Sequence, residues 1–121
     1  MISNVKFVSV PVSDYDRALI FYTDKLGFKL ITDHKFDDNS RWIELQIEES
    51  ETKIVLFTPP GHENRIGTYM NMAFTSVDIA KTYIELKDRG IEFKVPPTPA
   101  PWGTYAQFID SEGNIFVLSS T

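Results

Sequence analysis

Apolar and polar positions change period several times along this chain, and each change marks an element. Val5 to Val12 alternates, with Val8, Val10 and Val12 on one face and Phe7 and Ser9 on the other, which predicts a strand. Pro11 suits an edge strand or a strand end, because it offers no amide to a neighbour. The period then lengthens. Ala18, Phe21, Tyr22 and Lys25 recur at helical spacing, flanked by Leu19 and Leu26, and predict a helix from about Asp14 to Leu26. Ser13 and Asp16 read as a capping box at its start, and Gly27 as the left-handed residue past its end. Three further strands follow at Phe28–Thr32, Trp42–Ile47 and Lys53–Phe57, separated by the polar turns Asp37–Ser40 and Glu48–Glu51.

The same order then recurs. After a connector at 61–67, Met70–Thr75 is strand-like and Asp78–Arg89 helical, with Ile79, Tyr83 and Leu86 on one face and Gly90 as the stop. Ile91–Val95 alternates as a strand. The run from Pro96 to Pro101 reads as a rigid connector, too rich in proline for a sheet interior. Tyr105–Ile109 and Ile115–Ser119 are strands around the turn Asp110–Asn114. The expectation is an α+β chain of two βαβββ modules, about 1–60 and 68–121, in a single domain of 121 residues. One helix covers one face of four strands. The other face must therefore pack on something or hold a ligand.

Composition narrows the function classes. Sixteen of the residues are aromatic (nine Phe, five Tyr, two Trp), which suits either a packed β core or a ring-lined pocket. The formal net charge of −5, without a basic patch, argues against nucleic acid. The absence of cysteine excludes disulfides, a thiolate metal site and a cysteine nucleophile. No apolar run reaches the roughly 20 residues of a membrane helix, and no signal peptide is visible, so a cytoplasmic protein without membrane partners is expected.

Three anchors carry a family resemblance: Val10 to Phe28; Asn71-Met72-Ala73-Phe74 with Glu85 to Ile91; and Trp102 to Asp110 followed by Glu112-Gly113-Asn114-Ile115-Phe116. In this order and at these spacings they resemble the vicinal oxygen chelate superfamily: glyoxalase I, bleomycin-resistance proteins and extradiol dioxygenases. The closing turn is similar to that superfamily's Asp-Pro-Asp-Gly-Asn hairpin, with Ser111 where proline is common. The resemblance implies two curved mixed sheets around a cleft, often completed in a homodimer. It also implies four metal-ligand positions. Aligned here, they fall on Phe7, Val55, Asn71 and Val117. Phenyl and isopropyl groups have no lone pair, and an amide oxygen is a poor ligand for zinc or iron. No metal and no other cofactor is therefore expected. The positions read either as plain core or as a cavity kept for an organic molecule.

Other chemistry is sparse. His34 and His62 share no metal-binding spacing, and a site rebuilt from His34, Glu44 and His62 has no pattern demanding it. Glu44 shares a strand face with Trp42 and Gln46; it is a solvent residue on an open face, or a base on a closed one. Trp102, after the prolines, would lid a cleft or plug a dimer seam. The resembling bleomycin-resistance proteins use aromatic groove residues and carry no metal of their own. The expected function is thus metal-free binding of an aromatic or partly apolar small molecule at a homodimer cleft, lined by Phe7, Trp42, Phe57, Asn71, Trp102 and Tyr105. The alternative is a glyoxalase- or dioxygenase-type metalloenzyme with relocated ligands.

Overall fold

A computed structural model describes residues 1–121. In chain order the elements are β1 (Phe7–Val10), α1 (Tyr15–Ile20) running into a π-helical turn (Phe21–Lys25), β2 (Lys29–Lys35), β3 (Arg41–Gln46), β4 (Lys53–Leu56), a 3-10 turn (Glu63–Arg65), β5 (Tyr69–Ser76), α2 (Ile79–Asp88), β6 (Glu92–Ala100), β7 (Gly103–Ile109) and β8 (Ile115–Ser120). They form an α+β fold of two four-stranded mixed sheets, ordered β1-β4-β3-β2 and β5-β8-β7-β6. In each, the fourth strand of the module pairs parallel with the first and antiparallel with the third. The chain divides into two compact units, Met1–Ile66 and Gly67–Thr121.

In the first unit α1 rests on β4. Val10, Ala18, Phe21, Tyr22, Ile43, Leu45, Ile54 and Leu56 are buried and form this core. The helix is capped by Asp14, whose Oδ1 accepts from the Arg17 amide at 3.0 Å. Ser13 stands one residue too early to cap; its hydroxyl instead accepts from Arg17 Nη2 at 3.1 Å. The helix widens at its end, where Thr23 Oγ1 also donates to the Leu19 carbonyl at 2.6 Å. The Leu26 amide reaches back to Phe21 O, and that of Phe28 to Tyr22 O. Gly27, at φ +77°, supplies the left-handed residue this stop needs. Thr58 fastens the end of β4 beside the helix start: its hydroxyl exchanges two 2.8 Å bonds with Val12, and its amide donates to Tyr15 Oη.

In the second unit α2, capped by Asp78, packs against β5, β6 and β8. Phe74, Phe93, Phe108 and Phe116 form a ring core beneath it. The turn before β8 is held by buried polar groups. Asp110 Oδ1 accepts from the amides of Glu112 and Asn114, and its Oδ2 from Asn114 Nδ2. Asn114 Oδ1 in turn accepts from the Gly67 amide at 2.8 Å, which joins the first residue of this unit to its last hairpin.

One segment differs from its sequence reading. The proline run is not a connector: β6 extends through Pro96, Pro97 and Pro99 to Ala100, paired with β7. β6 is an edge strand, so amides missing on its outer side leave no ladder bond unmade. Register shifts between Phe93 and Thr98 absorb the remaining mismatch.

Candidate functional site

Along β3, Ile43 and Leu45 point into the helix-covered core, so Trp42, Glu44 and Gln46 share the opposite, open face. Cross-strand register extends that face. Glu44 pairs with Val55 of β4, Val55 with Ser9 of β1, and His34 of β2 with Trp42. Three expected site residues meet there. Phe7 touches Trp42 edge-on with ring centroids 5.1 Å apart, and Trp42 lies 5.3 Å from Phe57. The rings close over Val55, which is wholly buried. Phe36 extends the row, 6.3 Å from Phe57 and 4.8 Å from His34. Sequence reasoning passed over Phe36, and weighed His34 only as a metal ligand. The signal was present: Thr32, His34 and Phe36 continue a period of two opposite Trp42. The outermost rings are accessible, Phe7 at 38% and Phe36 at 55%.

Glu44 is half-buried in this row. It accepts no hydrogen bond and joins no ion pair. Two lysines stand on the next row of the same face: Lys53, which directs its ammonium to the Glu51 carbonyl at 3.2 Å, and Lys29, paired with Gln46.

The other expected residues lie in the second unit. Trp102 and Tyr105 approach to 6.2 Å, with Trp102 74% exposed. Asn71 is apart from them on β5, in the bulge between Tyr69 and Ala73, at φ +55°. Asparagine tolerates that left-handed backbone better than most residues. Val117 is half-buried on β8, between Ala73 and Gln107.

A separate cavity of about 630 Å³ opens in the first unit, between the start of α1, the β2–β3 hairpin and the 3-10 turn. None of the expected site residues lines it. On its wall Arg41 holds Asp33 through Nε–Oδ1 and Nη2–Oδ2 bonds of 2.7 Å each, and Asp16 through Nη1 at 2.6 Å. The guanidinium's hydrogen bonds lower the Asp33 pKa and raise that of Arg41.

Comparison with known proteins agrees with this architecture. The sequence model of the Glyoxalase/Bleomycin resistance protein/Dioxygenase superfamily matches residues 4–118. The chain belongs to that superfamily. The uncharacterized Bacillus subtilis protein YetH is 33% identical over 98% of both chains. A crystal structure of a superfamily member from Sphaerobacter thermophilus shares 32% identity and a TM-score of 0.89, covering 99% of this chain and 98% of the other. TnmS3, described as an antibiotic binding protein from Streptomyces sp. CB03234, shares 31% identity and a TM-score of 0.83, covering 98% and 96%.

Membership makes the donor set at the aligned metal positions the next test, and it does not fit a metal. Phe7 is engaged edge-on with Trp42, Val55 is sealed under rings, and Val117 is aliphatic. That leaves Asn71 as the one position with a donor atom, against the three good ligands a zinc centre needs. Relocated ligands do not assemble either. No three His, Cys, Asp or Glu side chains stand together as a cation cage. His34 faces Phe36 edge-on, and His62 is exposed just before the 3-10 turn.

Proposed function

We propose that this protein binds an aromatic or partly apolar small molecule without a metal, in a cleft completed by a homodimer. Phe7, Trp42 and Phe57 form one aromatic wall. Trp102 and Tyr105 supply further ring surface, and Asn71 a polar group to fix orientation. The observation that carries the reading is the row of touching rings on the open face of the first sheet, where the superfamily's ligand positions hold Phe7 and Val55. A flat molecule can stack on such rings for about 1 kcal/mol per ring pair beyond its area burial. TnmS3, named for antibiotic binding, supports a small-molecule ligand.

Trp42 lies in the proposed wall, so tryptophan emission reports occupancy. Titration with bleomycin-like and polycyclic aromatic compounds is expected to shift that emission, and Trp42→Ala to weaken binding at least tenfold. Sedimentation is expected to give a dimer. Emission that no compound class perturbs would end the proposal. Stoichiometric zinc, nickel, manganese or iron in the purified protein would replace it with the metalloenzyme reading.

A further inference from the structure

We infer that Glu44 makes this site selective for cationic aromatic molecules, meaning flat ring systems that carry a protonated amine or amidinium. The inference rests on the ligand-binding reading above and adds the charge of the ligand to it. Three observations meet at one place. Glu44 shares the open face with Trp42, two residues away on β3, and its cross-strand neighbour is Val55, the residue roofed by the Phe7, Trp42 and Phe57 rings. It is half-buried yet has no internal partner, although the ordered carboxylate Asp33 on the neighbouring strand is fully engaged by Arg41. Of the lysines on that face, Lys53 donates to a backbone carbonyl, and Lys29, paired with Gln46, makes no ion pair with Glu44.

A carboxylate beside ring faces is a cation receptor by elementary electrostatics. Ring quadrupoles attract positive charge above their faces, and the carboxylate supplies a charge-assisted hydrogen bond at the edge. A neutral ligand covering Glu44 would strip water from it without replacement, and an anionic one would also be repelled. The same residue therefore favours one charge class and penalises the others, which is how a pocket discriminates.

The test uses three probes with closely similar tricyclic ring systems: cationic 9-aminoacridine, neutral 9-anthracenemethanol and anionic 9-anthracenecarboxylate. Calorimetric titration at physiological ionic strength is expected to rank them in that order, with roughly tenfold between cation and anion. Glu44→Gln is expected to abolish the ranking while keeping the neutral probe's affinity, and Glu44→Lys to reverse it. Glu92→Gln, on the exposed strand β6, removes the same overall charge and is expected to leave the ranking intact. A ranking that survives Glu44→Gln, or that vanishes equally in Glu92→Gln, overturns the role of Glu44. Equal affinity of the wild type for all three probes does the same, and leaves the aromatic site standing. Failure of all three to bind removes the aromatic site itself and Glu44's role with it.

Discussion

The ring of Phe7 meets the indole of Trp42 at 5.1 Å with an interplanar angle of 80°, joining edge strand β1 to β3 across the intervening β4. That contact spans a strand whose own residue there, Val55, is small and completely buried. Phe7 is thus a roof over an aliphatic position, half wetted on its outer side. Phe7→Ala is expected to cost about 1–2 kcal/mol, from one aromatic pair and partial burial. Phe116→Ala, in the sealed core of the second unit, is expected to cost about 3–5 kcal/mol. Urea denaturation compares them, and in Phe7→Ala the emission of Trp42 shifts to the red as water reaches it. Equal costs would mean that Phe7 is packed as tightly as Phe116.

Arg41 predicts a pH dependence through Asp33. Its hydrogen bonds hold the Asp33 carboxyl below its ordinary value, so the folded state binds this proton more weakly than the unfolded chain. The contribution is complete above the unfolded pKa of about 3.9 and is lost as pH falls through the depressed folded value. Thermal melts between neutral and strongly acid pH are expected to lose part of their acid slope in Asp33→Asn. That variant is expected to cost about 1–2 kcal/mol at neutral pH, for a bidentate pair. Asp16→Asn is expected to stay under about 0.5 kcal/mol, because Asp16 is largely in solvent although its bond to Arg41 is short.

Element order and both helix-ending glycines were legible in the chain because each rests on local chemistry. Three features were not. Asp14 rather than Ser13 caps α1, and both residue types cap well, so the choice depends on where the chain enters the helix. The proline run reads as non-strand until β6 is known to be an edge, which is a property of the whole sheet. Phe36 joins the ring row because the β2–β3 hairpin carries it beside Phe57, a contact set by register rather than by either segment alone. The ring row in the first unit was therefore readable in part: Phe7, Trp42 and Phe57 were singled out together from the chain, while the contacts among them belong to the fold.

Gly103 opens β7 at φ +135°, a conformation L-residues rarely adopt, and a Cβ there would stand 2.7 Å from Ser120 Oγ. That hydroxyl accepts the Thr104 amide at 3.0 Å, so it cannot rotate away without freeing a partly buried donor. Gly103→Ala is expected to destabilise by about 1–3 kcal/mol. In the Ser120→Ala background the clash is relieved but the backbone strain stays, so the added cost of Gly103→Ala is expected to shrink without vanishing. A double-mutant cycle on chemical denaturation measures the difference.

Asn114 carries the last prediction. Its side chain is wholly buried yet fully used: the amide nitrogen donates to Asp110 Oδ2 at 2.9 Å and the amide oxygen accepts from Gly67 N at 2.8 Å. Asn114→Ala strands a buried Gly67 amide and removes one donor from the buried Asp110 carboxylate, at an expected cost of about 2–4 kcal/mol. Asn114→Asp keeps the shape and the acceptor but sets a second carboxylate against Asp110, so its cost is expected to be similar at neutral pH and to fall on acidification, as the shared proton restores a donor. Asp110→Asn keeps one acceptor for the two backbone amides but turns a donor against Asn114 Nδ2, so its cost is expected to be similar at neutral pH and, unlike that of Asn114→Asp, not to fall on acidification. If Asn114→Asp proved as stable as the parent at neutral pH, the pairing of Asn114 Nδ2 with Asp110 would not be what holds this turn.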